Sequence, residues 1–308
     1  MYRSRKAAIA LGVLAALLWS PHFRLVERIR AGQAAPPYMV LGFYFLLGGA
    51  LALVLVLFLT GRLAEMRLFN RRETQFLVLA ASGGYGFWIL RALSLQAAAP
   101  SRAHLAFYAA PVIMAVFSAL TKERADGRTM VGLLLGFVGC IMLIGPGEGS
   151  GVQLRGTVLG LAAAACWAVF FLVARPLMRQ ERALPVAALT TGIGALFLLA
   201  TSLGMRVGLF DIAPADLGLA LLGGAVTVGF MMALWLKCLA QLPAALAGGL
   251  WYLGLLFGSL WGFAGFLEPR PDGWWLLGGA VLILLGLHSA LSGRRRGEAT
   301  MGDIIRGW

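Results

Sequence analysis

The chain has 308 residues, of which 60% are hydrophobic and 13% are charged, and its formal net charge is +13. With a mean hydropathy of +0.85, it could not present a wetted surface to water over most of its length. This composition excludes the soluble globular classes, and continuous apolar runs without period-two alternation argue against a transmembrane β-barrel.

The apolar runs have the length that a bilayer span needs, about 20 residues. They predict an all-α integral membrane protein with ten transmembrane helices. The first run follows Arg3, Arg5 and Lys6, but we do not expect a cleaved signal peptide because this run returns later as a repeat unit. The predicted spans cover residues 6–25, 38–60, 74–95, 103–121, 129–145, 156–174, 184–205, 215–236, 244–266 and 274–291.

The first predicted helix has a counterpart in the second half of the chain. Residues 9–25, IALGVLAALLWSPHFRL, match residues 157–173, TVLGLAAAACWAVFFLV, without a gap. Alanine and leucine matches mean little in so apolar a chain, but a glycine, a tryptophan and a phenylalanine held in register indicate duplication. The matched pairs are Gly12 with Gly160, Trp19 with Trp167 and Phe23 with Phe171.

A second set of matches follows in the same order, which supports two homologous halves. Gly86, Phe87 and Pro100 are echoed in register by Gly229, Phe230 and Pro243. We therefore predict a first five-helix repeat over residues 1–148, a second over 149–292 and a basic cytoplasmic tail over 293–308.

An odd number of helices per half gives the two repeats opposite orientations in the membrane. If both termini are cytoplasmic, most of the 26 Lys and Arg residues fall on the inner side, as the positive-inside rule requires. The basic charge is then topological, and we predict a multi-pass protein of the cell inner membrane that binds no nucleic acid. The tail residues Arg294–Arg296 are expected to contact anionic lipid.

In the first helix, three features are candidates for the functional site. Ser20, Pro21 and His22 interrupt the helix, either to expose backbone groups to a solute or as an ordinary proline kink satisfied by Ser20. Trp19, like Trp167, lies well inside its helix, which favours a position in the cavity wall over simple packing. Glu27 belongs either to a solvated rim or to the cavity, where it would be a carboxylate for proton coupling.

In the third helix, Arg91 interrupts the apolar run FWILRALSL. An ionised side chain in hydrocarbon costs on the order of 3 kcal/mol, so such a residue normally faces the bundle interior. The alternative is that the long side chain extends to the membrane surface. Lys237, at the end of the eighth helix, leaves the same two possibilities open.

In the fourth helix, Arg102 and His104 begin at the same outer level as His22 and Arg91. Together they predict an electropositive vestibule suited to a carboxylate or a phosphate. His104 is a second candidate for proton coupling, although a lone histidine is more often a hydrogen-bonded core residue. Tyr108, and Tyr252 in the ninth helix, add aromatic surface that serves either packing or binding.

The chain lacks the residue patterns that catalysis usually requires. Its three cysteines, Cys140, Cys166 and Cys238, are far apart and give neither metal-ligand spacing nor an expected disulfide. Three histidines without an H-E-x-x-H pattern and no nucleotide-binding glycine motif add no further site. We predict no enzyme, no metal and no cofactor.

Several short motifs carry a resemblance to a known family. They are Leu18-Trp19-Ser20 in the first helix, Ala92-Leu93 before a short loop, Pro111 in the fourth helix and Lys122-Glu123-Arg124 before a glycine-rich fifth helix. In this order, over nearly the whole chain, they resemble the EamA-type members of the drug/metabolite transporter superfamily. The resemblance implies a secondary carrier of small metabolites, often an exporter of amino acids, with a central cavity between two inverted repeats.

The predicted function is therefore a secondary transporter, an exporter of amino acids or small organic acids by alternating access, acting as a monomer or weak homodimer. The alternative is a non-transporting membrane subunit that docks lipid or a protein partner. An intramembrane enzyme is disfavoured because no Asp, His and Cys cluster appears. The predicted substrate-binding residues are Trp19, His22, Arg91, His104, Tyr108, Trp167 and Tyr252, with Glu27 and His104 as coupling candidates.

Overall fold

The computed structural model describes residues 5–32, 35–67, 73–118, 125–144, 154–178, 182–261 and 273–292. Within these ranges the chain is all-helical, as predicted: eight helices are long and apolar enough to cross a membrane, and two are shorter. The ten are α1 (Arg5–Arg30), α2 (Tyr38–Leu59), α3 (Glu73–Ala97), α4 (Ala103–Ser118), α5 (Gly127–Ile144), α6 (Leu154–Met178), α7 (Ala183–Gly204), α8 (Pro214–Leu239), α9 (Ala244–Leu260) and α10 (Gly273–Ser292).

The predicted count of ten transmembrane helices stays a prediction, because α4 and α9 are shorter than a full span. Some predicted features lie outside the described residues. These are the boundary between the halves at residues 148 and 149, the Lys122-Glu123-Arg124 motif, the tail 293–308 and the side chain of Arg102.

Helix α1 bends at Ser20 and Pro21, between the segments Arg5–Trp19 and His22–Arg30. The Ser20 hydroxyl donates to the carbonyl oxygen of Leu17 at 2.7 Å, and the Ser20 amide donates to Ala16 at 3.0 Å. The local backbone is thus satisfied within the helix, as in an ordinary proline kink. One consequence of the kink is that His22, directly after it, points into the protein interior and is fully buried.

Helices α3 and α8 each contain a π-helical segment, Ala80–Gly86 and Ala225–Phe230. In both, a glycine of the π segment touches a glycine of a neighbouring helix. A Cβ atom on Gly84 would lie 3.1 Å from the Cα atom of Gly194 in α7, and one on Gly49 in α2 would lie 2.9 Å from the amide nitrogen of Gly229. The helices therefore meet backbone to backbone, which is how small residues promote association in lipid.

Helices α4 and α9 are broken at corresponding places. In α4 the segments Pro100–Phe107 and Ala110–Ser118 flank a two-residue turn, and in α9 the segments Ala244–Gly249 and Tyr252–Trp261 do the same. Each break turns an aromatic residue into the protein interior. These are Tyr108, eight residues after Pro100, and Trp251, eight residues after Pro243, and both are buried.

The main helix pairs follow one pattern. Helix α1 packs on α8 and α9, while α6 packs on α3 and α4; α2 packs on α8, while α7 packs on α3. The pairs α2 with α7, α4 with α9 and α5 with α10 complete the set. Exchanging α1–α5 with α6–α10 leaves each of these three pairs unchanged and interchanges the others.

The ends of the helices meet at two opposite faces. On the first face, Arg5 at the start of α1 donates to the carbonyl oxygen of Leu291 near the end of α10. On the same face, the carboxylate of Glu65, after α2, accepts from Arg62 at 2.9 Å and from Arg182, before α7, at 2.6 Å. The hydrogen bond from Arg62 is the main reason that the pKa of the Glu65 carboxyl lies below its ordinary value.

On the opposite face, two hydrogen bonds join other helix ends. The Tyr44 hydroxyl, near the start of α2, donates to the carbonyl oxygen of Leu209 beyond the end of α7 at 2.8 Å. The Ser94 hydroxyl, near the end of α3, donates to the carbonyl oxygen of Gly156, at the start of α6, at 2.7 Å. Because Tyr44 and Leu209 join the start of α2 to the end of α7, and Glu65 and Arg182 join the end of α2 to the start of α7, these two helices run antiparallel.

Candidate functional site

A group of aromatic rings lies where α1, α6 and α9 meet. Trp19 and Trp167, the matched tryptophans of the two halves, both contact Trp251, with ring centroids 5.0 and 5.2 Å apart. Trp19 also stacks on the imidazole of His22, at 4.4 Å and 10° between the planes. All four side chains are buried, so the rings belong to the interior of the bundle.

Arg91 lies beside this group, on α3, and its side chain is only 4% exposed. Its guanidinium carbon is 5.0 Å from the ring centroid of Phe23, 5.6 Å from that of Trp88 and 5.7 Å from that of Phe107. Rings at these distances stabilise a cation through their electron-rich faces. Arg91 therefore points into the protein interior and does not extend to the surface.

A hydrogen-bond chain connects Arg91 to α1 and α8. Its Nη1 atom lies 3.2 Å from Nε2 of His22, and Nδ1 of His22 lies 3.1 Å from the hydroxyl oxygen of Thr227. A guanidinium can only donate, so Nε2 must accept and carries no proton. We therefore assign His22 as neutral, with its proton on Nδ1 and donated to Thr227.

The other edge of the Arg91 guanidinium has two free donors. Nε and Nη2 are buried and have no hydrogen-bond partner among the residues that the structure describes. These two N–H groups point from the same edge of the planar group, and such a fork matches the two oxygens of a carboxylate. Buried charged donors without acceptors are unfavourable, so this edge is suited to an anionic ligand.

His104 and Tyr108 lie one helical turn apart on α4 and face the same region. The ring centroid of His104 is 4.2 Å from that of Phe23, and its Nδ1 atom has no partner within the described ranges. The Tyr108 hydroxyl lies near the indole nitrogen of Trp19 without reaching hydrogen-bond geometry. Both groups thus retain hydrogen-bonding capacity beside Arg91.

The structure does not bring every predicted site residue to this place. The Tyr252 hydroxyl donates to the carbonyl oxygen of Leu133 at 3.0 Å, so this residue packs α9 on α5. Glu27 is half-buried on α1, close enough to Arg91 for their charges to interact. Lys237 is exposed at the end of α8.

Two residues of the site escape sequence reasoning, namely Thr227 and Trp235. A threonine in a membrane helix is too common to stand out, and the hydrogen bond that makes Thr227 special is visible only in three dimensions. Trp235 contacts Phe171 at 5.8 Å, as Arg91 contacts Phe23. The sequence register of Gly86 with Gly229 pairs Arg91 with Leu234. Only the structure matches Arg91 with Trp235, because each follows the end of its π segment by five residues.

The site is polar where it is built from the first half and apolar at the corresponding place in the second. Phe170 follows Trp167 by three residues, as His22 follows Trp19, and it stacks on Trp167 at 5.0 Å. It also packs against Gly83, where a Cβ atom would lie 2.5 Å from the Phe170 ring. Histidine and arginine on one side are thus replaced by phenylalanine and tryptophan on the other.

Within the described ranges, no group of three or more His, Cys, Asp or Glu side chains comes together in a way that could hold a metal ion. Cys140, Cys166 and Cys238 are free thiols.

Comparison with known proteins places the chain among membrane transporters. Residues 6–145 match the model of the EamA-like transporter family. The aromatic amino acid exporter YddG of Ancylobacter novellus is 30% identical over 181 residues, which are 57% of this chain and 61% of that protein. The uncharacterized transporter YvbV of Bacillus subtilis is 28% identical over 197 residues, so the match spans about three fifths of each of these two relatives.

Two further matches extend over more of the chain. The uncharacterized protein PA1977 of Pseudomonas aeruginosa is 30% identical over 253 residues, which are 78% of this chain and 81% of that protein. A solved crystal structure superimposes with a TM-score of 0.79 at 23% identity, covering 95% of this chain and all of the other. At that identity the likeness shows a shared fold.

Proposed function

The chain belongs to the EamA-like transporter family, and from this premise we propose that it is a secondary transporter that exports amino acids or related small organic acids. Transport would proceed by alternating access, with both termini in the cytoplasm and the protein in the cell inner membrane. The observation that carries the proposal is the buried donor fork of Arg91, which has no hydrogen-bond partner among the residues that the structure describes.

The fork supplies the carboxylate end of the binding site. A carboxylate that accepts from Nε and Nη2 forms two parallel charge-assisted hydrogen bonds, and these are about twice as strong as neutral ones. It also neutralises a charge that the surrounding rings stabilise only in part. His104 and Tyr108 lie on the neighbouring helix and would complete the polar end.

The aromatic group supplies the opposite end. Trp19, Trp167 and Trp251 offer large, rigid apolar surfaces, and the second half adds Phe170 and Trp235 where the first half has polar groups. An apolar or aromatic substrate side chain would bind there and gain stacking as well as burial. The printed name of the relative from Ancylobacter novellus, an aromatic amino acid exporter, supports this choice of side chain.

Two inverted five-helix repeats, residues 1–148 and 149–292, would provide the moving parts. The exchange of helix pairs between α1–α5 and α6–α10 supports this division. In carriers built from such repeats, one half rocks against the other around a fixed site near the midplane. Glu27 and His104 remain the proposed groups for proton coupling, and a substrate contact of Tyr252 stays a prediction.

The test is counterflow into liposomes that contain the purified protein and an excess of unlabelled substrate. We expect labelled phenylalanine, leucine or their 2-oxo acids to accumulate transiently. Arg91→Gln should lower the apparent affinity by about 30-fold or more, because removing one partner of a buried charged pair costs about 2–5 kcal/mol.

The matched control is Arg28→Gln, the same substitution at an exposed residue of α1, which should transport like the wild type. If folded, inserted wild-type protein accumulates no member of the panel, a membrane subunit that docks lipid or a protein partner becomes the better account. Equal transport by both variants would remove Arg91 from the site.

A further inference from the structure

We infer that Thr227 is a positioning residue for the carboxylate site: its hydroxyl fixes the tautomer of His22, and His22 in turn holds Arg91 with its free fork turned to the substrate. This inference rests on the proposed role of Arg91. The inference gives the π-helical segment of α8 a role in substrate binding. This segment carries Thr227, which acts on Arg91 only through His22.

Arg91 fixes the direction of the hydrogen bonds around His22. Arg91 offers only donors, so it requires an unprotonated Nε2 on His22. The neutral ring then carries its proton on Nδ1, and that N–H needs an acceptor because His22 is fully buried. The hydroxyl oxygen of Thr227, at 3.1 Å, is this acceptor.

Loss of the Thr227 hydroxyl would change which nitrogen of His22 carries the proton. A buried Nδ1–H with no acceptor is unfavourable, and the ring would favour the tautomer with its proton on Nε2. That proton would face the Nη1–H group of Arg91, so two donors would oppose each other. Arg91 would then lose its only hydrogen-bond partner among the described residues and turn its fork away.

The imidazole cannot easily avoid this conflict by rotating. Trp19 stacks on one face of the ring at 4.4 Å, and Phe45 approaches it edge-on at 4.6 Å. A ring held in one plane between two aromatic neighbours can only turn over, and that would direct carbon atoms at Arg91 and Thr227 and lose both hydrogen bonds. The hydroxyl of Thr227 therefore decides which nitrogen carries the proton.

The second half of the chain provides an internal comparison. There Phe170 occupies the place of His22, and it packs on Gly83 of the α3 π segment as His22 packs on Thr227 of the α8 π segment. The two matched residues, Phe170 and Gly83, carry neither an imidazole nor a hydroxyl, and Trp235 stands where Arg91 would. The Thr227 hydroxyl thus occurs in the half that contains Arg91. The α3 π segment packs on its neighbouring helix without a hydroxyl at the matched position.

The arrangement also ties substrate affinity to conformation. His22 lies on α1 and Thr227 on α8, so their hydrogen bond lasts only while these two helices stay in contact. When α8 moves relative to α1, the fork of Arg91 loses its orientation and the carboxylate is released.

The experiment compares Thr227→Val, which removes only the hydroxyl, with Thr227→Ser, which keeps it. The ¹⁵N NMR spectrum of protein labelled with ¹⁵N-histidine should show the Nδ1–H tautomer for His22 in the wild type. The chain has three histidines, and the signal lost in His104→Gln helps to assign the one that belongs to His22. Thr227→Val should shift His22 toward the Nε2–H tautomer and raise KM for counterflow about 10-fold without lowering the maximal rate, an effect the size of one lost buried hydrogen bond. Thr227→Ser should restore both.

The control is Thr191→Val, a buried threonine whose hydroxyl donates to Ala187 within its own helix, and it should leave tautomer and KM unchanged. An unchanged tautomer and KM in Thr227→Val would overturn the inference. An Nε2–H tautomer of His22 in Thr227→Ser would also overturn it. The Thr227→Ser measurement therefore tests the inference even if Thr227→Val fails to fold. If the wild type transports nothing in the panel but Thr227→Val still shifts the tautomer, the control of the His22 tautomer by Thr227 holds and the proposed function fails.

Discussion

At the scale of single residues, Arg91 depends on the groups at its two edges. One edge donates to His22, and the other keeps two buried N–H groups without a partner in the described part of the chain. A lysine would retain the charge but offer no planar fork. This combination of one tethered edge and one free edge is the basis of the proposed role of Arg91 as a receptor for a carboxylate.

Trp235 should set the size of the substrate's apolar end. Trp235→Ala removes a ring that packs against Phe171 and Trp251, so it should enlarge the apolar end and shift the preference toward bulkier side chains. We expect the ratio of KM values for leucine and tryptophan to change by about 10-fold or more, since burying one large apolar side chain is worth about 1.5–3 kcal/mol. The measurement is competition by unlabelled amino acids in counterflow.

Arg91→Gln is the control, because the loss of Arg91 should change KM without changing the preference among side chains. Arg91→Gln should raise KM for all amino acids by a similar factor and leave their order unchanged. If Trp235→Ala raises every KM equally, Trp235 only supports the packing of the site and does not select side chains.

Much of this site could be predicted from sequence, because polar and charged residues in apolar helices are conspicuous. Arg91, His22 and His104 stand out for that reason, and the structure brings all three together. Thr227 and Trp235 could not be predicted, because neither residue type is unusual in a membrane helix. Their roles depend on distances between helices that lie more than 60 residues apart in the chain.

At the scale of helices, irregular segments place the site residues. The kink of α1 positions His22, the break of α4 positions Tyr108, and the π segment of α8 positions Thr227. Proline indicates the first of these in the sequence. The π segments could not be predicted, because their glycines also fit an ordinary close helix contact.

The close contact between α2 and α8 should be sensitive to a single methyl group. Gly229→Ala would place a Cβ atom 2.7 Å from the carbonyl oxygen of Gly49, so the helices must separate. Overpacking of this kind costs about 1–3 kcal/mol. We expect a lower melting temperature in detergent, measured by the loss of the monodisperse peak after heating.

The control for this prediction lies in the same helix. A Cβ atom on Gly218 of α8 would have no neighbouring atom within 4 Å, so Gly218→Ala should melt like the wild type or slightly higher. Equal melting of Gly229→Ala and Gly218→Ala would show that the backbone contact between α2 and α8 is looser than the structure indicates.

At the scale of the whole molecule, the same five-helix plan gives two chemically different ends. The helix pairs and both helix breaks recur between α1–α5 and α6–α10, yet Arg91 and His22 have apolar counterparts in Trp235 and Phe170. The sequence predicts a duplication because tryptophan and glycine matches keep their register, and the recurring helix pairs are consistent with that prediction. The difference in chemistry between the two ends implies that the substrate binds in one orientation.

We propose that a carboxylate bound at Arg91 sets this orientation. The most direct measurement is competition in counterflow between a transported amino acid and its carboxamide, which has the same shape but lacks the negative charge. We expect the acid to compete at least about 30-fold better, because the amide offers one acceptor to a fork that needs two and leaves a buried charge unpaired. Equal competition by acid and amide would contradict the account.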